Sequence, residues 1–122
     1  MISFNQVILL GYLGKDPEVL KPQEKGAFVR LSVATTKKYT DTKGKLQEET
    51  QWHSVYVKNG LGKAVAEYLK KGSRVHITGE LRKRSWVNKE EQLQFNTAVH
   101  AFDIIFLDAK NAALPESSDI QQ

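Results

Sequence analysis

The 122-residue chain contains no cysteine. Disulfides, thiolate metal sites and cysteine nucleophiles are therefore excluded, and the composition is compatible with a reducing cytoplasm. Long apolar runs are also missing: Val7 to Leu10 and Ile104 to Leu107 are the longest, far too short to cross a bilayer. No basic-then-apolar leader opens the chain, so a soluble, unprocessed protein with no membrane partner is expected. Histidine is scarce, and His53, His76 and His100 lie in separate strand-like segments without the spacing of metal-binding pairs. Gly62-Lys63 fails as a phosphate loop, because Val57 stands where the first glycine is required and Ala64 where a hydroxyl is required. Asp16, Glu18, Glu48, Glu49 and Glu80 fall near turns or on exposed faces, with no pairing suited to general acid and base work. No enzyme activity, cofactor or metal is expected.

What the chain has is positive charge and aromatics in unusual company. The formal net charge is +4; Ala109 to Gln122 holds Lys110 against Glu116 and Asp119, a net −1, which leaves +5 on the first 108 residues. Binding charge therefore belongs to the folded body. Tyr39, Trp52 and Trp86 sit among basic or polar residues where strands meet loops, although such rings are usually covered. In Arg82-Lys83-Arg84-Ser85-Trp86, the two-residue period of a strand puts Arg82, Arg84 and Trp86 on one face. Cations suit phosphates and a flat ring suits a base, the two partners that single-stranded nucleic acid displays together.

Periodicity predicts strands over Asn5 to Leu13, Ala27 to Thr36 (around Phe28, Leu31 and Val33) and Gln51 to Lys58. Asp41 to Thr50 is polar and reads as a long exposed loop. A helix is expected over Leu61 to Lys71, with Leu61, Val65, Tyr68 and Leu69 as its core stripe, Asn59 as cap and Gly72 as terminator. A fourth strand spans Arg74 to Arg84 with Val75, Ile77, Gly79 and Leu81 on one face. Asn88 to Glu91 turns, and Gln92 to Leu107 forms the fifth strand. Three strands, a helix and two strands is the order of an all-β OB-fold, a five-stranded Greek-key barrel with one helix between strands 3 and 4, which binds oligonucleotides. The expected domain is residues 1–108, followed by a short flexible tail over 109–122.

Four pieces of sequence go further: Asn5-x-Val7-x-Leu9-x-Gly11-x-Leu13-Gly14-x-Asp16-Pro17-Glu18; Thr50-Gln51-Trp52-His53; Glu67-Tyr68-Leu69-x-Lys71-Gly72-Ser73; and Gly79-Glu80-Leu81-Arg82-x-Arg84-x-Trp86. In this order the chain resembles the bacterial single-stranded DNA-binding protein family over most of residues 1–108. The resemblance implies a homotetramer that wraps single-stranded DNA without sequence choice during replication, recombination and repair, in a bacterial cytoplasm and associated with the nucleoid. It places base stacking on Tyr39, Trp52 and Trp86, with Tyr39 where tryptophan is commoner. The family's fourth stacking position, usually phenylalanine, falls on Lys58.

Tyr56 shares the face of Trp52, Ser54 and Lys58, so it is expected to stack against or brace the DNA in place of the missing ring. Phosphate contacts are expected from Arg30, Lys37, Lys38, Lys43, Lys45, Lys58, Arg74, Arg82, Lys83, Arg84 and Lys89. The family's acidic, hydrophobic tip, which recruits replication and repair proteins, has no counterpart in Glu116-Ser117-Ser118-Asp119-Ile120-Gln121-Gln122. A barrel that docks protein partners and binds DNA feebly is the alternative reading.

Overall fold

Alternating apolar and polar residues fold the chain into six strands and one helix over residues 2–108, which the computed structural model describes. The expected tail over 109–122 lies outside the described residues. The elements are β1 (Val7–Leu13), β2 (Glu18–Gln23), β3 (Gly26–Thr40), β4 (Leu46–Val57), α1 (Asn59–Tyr68), β5 (Arg74–Val87) and β6 (Leu93–Phe106). They lie in the order β1-β5-β6-β4-β3-β2. Pairing of Tyr12 with Ala34 and Leu13 with Val33 joins β1 to β3, closing five strands into the expected OB barrel. All pairs are antiparallel except β4 with β6, which meet in parallel only at Val55–Val99 and Tyr56–His100.

The core follows from apolar, mostly β-branched residues at every second position. Val29, Leu31, Val33, Val55, Val57, Val75 and Ile77 point inward and are fully buried, joined by Val65 of the helix. Burial contributes about 1.5–3 kcal/mol for each such side chain. Helix α1 packs against β3, and Gly62 sets how closely: a Cβ there would lie 2.0 Å from the Ala27 carbonyl oxygen.

Several expectations are corrected. β2 is an additional strand, fully paired with β3 through a bulge between Val19 and Lys21. It lies at the sheet edge, where Pro22 is tolerated, and its almost wholly exposed residues carry no alternating signal. The second half of the expected Asp41–Thr50 loop is strand, leaving only Asp41–Lys45 as the turn: β3 and β4 run on as a two-stranded ribbon, paired from Thr36–Thr50 to Thr40–Leu46. Phe28 lies on the opposite face from Leu31 and Val33, as its even number requires.

The helix is shorter than expected and shifted towards the N-terminus. Lys58 is its N-cap without a side-chain cap bond, while Asn59 takes a positive φ of 58°. Its backbone N–H donates to Gln23 Oε1 at 2.8 Å. Leu69 is already extended, so Gly72, with φ 91°, serves the following turn and not the helix end. Tyr68 leaves the core stripe and is 70% exposed, tilted against Phe106. Leu81 keeps the parity of Ile77 but is exposed; the Asn5 amide exchanges two hydrogen bonds with its backbone, at 2.9 and 3.0 Å.

Candidate functional site

The outer face of β4, β6 and β5 assembles most of the candidate residues. From β4 come Trp52, Ser54 and Tyr56, followed by Lys58. From β5 come Glu80, Arg82, Arg84 and Trp86, paired with His100, Ala98, Asn96 and Gln94 of β6. Below Val55–Val99 the parallel pairing of β4 and β6 stops. There the strands part around a trough of about 370 Å³ lined by Trp52, Ser54, Asn96 and Ala98. A second hollow of about 220 Å³, between Arg84, Trp86 and Asn96, adjoins it. Asn96 borders both, so the two tryptophans flank one continuous groove whose floor mixes the small polar Ser54 and Asn96 with the apolar Ala98.

Trp52 and Trp86 are 61% and 47% exposed, although each is placed by regular pairing, with Ala34 and Gln94 respectively. The benzo edge of Trp52 lies over Gly14, where an added Cβ would fall 2.1 Å from a ring carbon. The Gly14 N–H is held by the Ser32 carbonyl at 2.9 Å. Trp86 stands at the strand end, as expected, next to last in β5, which runs three residues past the expected Arg84 to Val87.

Other candidates spread beyond the groove. Tyr39 and Lys37 project from the face of the β3–β4 ribbon opposite to Trp52, whereas Lys38 shares the Trp52 face. Lys37 and Lys38 sit across from Glu49 and Glu48, which offset part of their charge. Lys43 and Lys45 occupy the ribbon tip, where Asp41 Oδ1 accepts both their backbone N–H groups at 2.9 Å. Those bonds, led by Lys45, hold the Asp41 carboxyl below its ordinary pKa. Lys89 occupies the tip of the β5–β6 hairpin. Lys83 points to the face opposite Arg82 and Arg84, over the Phe95 ring at 5.2 Å. Arg74 lies over Tyr12 at 5.7 Å, ten residues along β5 from Arg84, on the order of 33 Å in an extended strand. It stands outside the groove.

Tyr56 occupies the groove face but is hemmed in. Phe28 stacks on one side, with centroids 5.5 Å apart and planes 10° apart, and His100 leans on the other at 5.4 Å. Burial, then the nearby Arg82 and Lys58 cations, pushes the His100 imidazole below its ordinary pKa. Arg30, opposite Tyr56, reaches Ser54 Oγ at 3.5 Å and Glu18 at 3.9 Å.

Sequence reasoning missed Phe28, Asn96 and His100 as parts of this face. The parity of Phe28 with Arg30 was the available signal for the first. Asn96 and His100 meet Arg84 and Glu80 through the β5–β6 hairpin, but they come beside Trp52 and Tyr56 only where β6 meets β4. No group of three or more potential metal-ligating side chains occurs among the described residues.

The model of the Single-strand binding protein family matches residues 4–107. A relative named Single-stranded DNA-binding protein 1, from Xylella fastidiosa (strain 9a5c), is 39% identical over 111 residues, covering 90% of this chain and 82% of its own length. Among solved structures, a Plasmodium falciparum SSB in complex with ssDNA superposes with a TM-score of 0.78 at 28% identity, covering 88% of this chain and 98% of that one. A deletion mutant of the single-stranded DNA-binding protein from Thermus aquaticus gives 0.74 at 27% identity, covering 88% and 52%.

Proposed function

Since the chain belongs to the single-strand binding protein family, we propose that it binds and protects single-stranded DNA in replication, recombination and repair, as a homotetramer in the bacterial cytoplasm and nucleoid. As a member of that family it is a binding protein and not an enzyme. The observation that carries the DNA reading is the exposure of Trp52 and Trp86 on one groove with Arg82 and Arg84 beside them. Bases stack on the two indoles, each contributing about 1–3 kcal/mol, and phosphates follow the cations. Because every base has a face and phosphates carry no sequence information, this mode of binding selects no sequence.

Tyr39 and the lysines at the ribbon tip extend the path beyond the barrel, and the ribbon's opposite face lets DNA pass around it. Tyr56 acts as a brace: its covered faces favour support of the groove wall and contact through its ring edge, while Lys58 meets a phosphate. Arg30, Lys38, Arg82 and Arg84 supply charge within the groove, and Lys37, Lys43, Lys45 and Lys89 supply it along the ribbon and hairpin tips. Lys83 and Arg74 serve only a strand that wraps beyond this face.

Self-association is supported by the outer face of β1. Ile8, Leu10 and Tyr12 are each more than half exposed, beside Ile105 across His76. The opposite edge of β1 pairs with β3 only at Tyr12 and Leu13, leaving Val7–Gly11 open to another strand.

Titration with oligo-dT at low and high salt tests the function. Strong tryptophan quenching and an affinity that falls steeply with salt are expected; binding of protein partners with no quenching by oligo-dT would instead establish the docking alternative.

A further inference from the structure

Past the tryptophans the groove changes character. With Phe28 on one side of Tyr56 and His100 on the other, no base can stack on that ring without dislodging a neighbour. A recess of about 130 Å³ opens beside the rings instead, with Lys58, Glu80, Arg82 and His100 on its walls. The recess is too small to take more than one base.

The wall chemistry selects among heterocycles. It holds one carboxylate, two cations and an imidazole whose Nε2 is buried without a partner. A phosphate is disfavoured by Glu80. The Glu80–Arg82 contact is 3.6 Å long and both side chains are partly exposed, so it holds the carboxylate weakly and leaves it free to accept from a ligand. A carboxylate pairs best with two adjacent donors, and a neighbouring cation then needs an acceptor next to them. Among the DNA bases only guanine presents that sequence along one edge, with N2–H and N1–H beside O6. Cytosine and adenine each offer one amino group, and the single N–H of thymine lies between two acceptors.

We propose that the recess bounded by Tyr56, Lys58, Glu80, Arg82 and His100 is a base-reading subsite for guanine, with Glu80 accepting from N1–H and N2–H and its neighbour Arg82 donating to O6, which leaves Lys58 for the phosphate. It rests on the DNA-binding reading and adds a composition bias at one point of an otherwise indifferent path.

The test titrates the full chain with dT oligomers carrying isolated guanines, and with matched oligomers carrying adenine, cytosine or hypoxanthine at those positions, followed by tryptophan quenching. Guanine oligomers are expected to bind about fivefold tighter or more than plain dT, in keeping with a bidentate base contact. Hypoxanthine, which lacks the N2 amine, should lose most of that advantage. Glu80→Gln should bring the guanine-to-thymine affinity ratio to about one, whatever uniform change the lost charge produces, while circular dichroism verifies its fold. A ratio of one in the unaltered chain, or a ratio that Glu80→Gln leaves intact, overturns the subsite. If dT quenches normally in that case, only the guanine inference falls; if dT neither binds nor quenches, the DNA-binding reading falls with it.

Discussion

Trp86 stands in regular strand with nearly half its surface open, an arrangement that costs apolar exposure without return unless something covers the ring. Trp86→Ala is expected to weaken oligo-dT binding by about 1–3 kcal/mol and to leave thermal stability nearly unchanged; titration and a melting curve check the two parts. Trp52 depends on a neighbour as well. Gly14→Ala would drive a methyl group into the indole, so it should shift Trp52 emission and weaken binding by up to the contribution of one stack, about 1–3 kcal/mol. Unchanged emission would show that the ring does not rest on Gly14. These roles were partly legible beforehand, because basic company and strand parity marked Trp86 and Trp52 without any coordinates. The covered faces of Tyr56 were not legible, since Phe28 and His100 reach it from strands whose register no local pattern specifies.

The β3–β4 and β5–β6 hairpins are built on one five-residue loop. In Asp41–Lys45 and Asn88–Gln92 the first side chain accepts N–H groups from the third and fifth residues, at 2.9 Å in every case. The fourth residue is left-handed in both: Gly44 at φ 79° and Glu91 at φ 61°. A side chain pays a steric cost there that glycine escapes. Glu91→Gly is therefore expected to stabilise the protein by roughly 0.5–1 kcal/mol, seen as a raised melting temperature. The paired loop also sets a pH response. Because the folded Asp41 carboxyl is lowered relative to the unfolded chain, its contribution is present above the ordinary aspartate value of 3.8 and is lost as pH falls through the lower folded value. Carboxyl and amide NMR shifts at Asp41, Lys43 and Lys45 should move together in that acid range. At this scale the sequence yielded the barrel strands and the helix's place, through alternation and a helical stripe. It hid β2, whose exposed edge position needs no alternation, and the ribbon, whose polar residues pair mainly through backbone bonds and carry no apolar alternation.

For the molecule as a whole, charge and assembly dominate. The +5 on residues 1–108 includes Lys58, Arg82 and Arg84 against the single carboxylate of Glu80 on the groove face, whereas Lys89 at the β5–β6 tip is offset by Glu90 and Glu91. The logarithm of affinity should therefore fall linearly with the logarithm of salt concentration through the groove cations. Leu10→Glu puts a charge into the exposed β1 face and should lower the molecular mass seen by light scattering; an unaltered mass would remove that face from the assembly. The barrel was legible as a whole because element order is a global property of the sequence. The groove was legible only in its rims, since its floor of Ser54, Asn96 and Ala98 exists through parting of β4 and β6. The most direct test of the central claim uses two single-tryptophan proteins, Trp52→Phe and Trp86→Phe, titrated separately with oligo-dT. Both remaining indoles should be quenched and should saturate at the same DNA-to-protein ratio; binding that leaves both indoles unquenched would contradict the account.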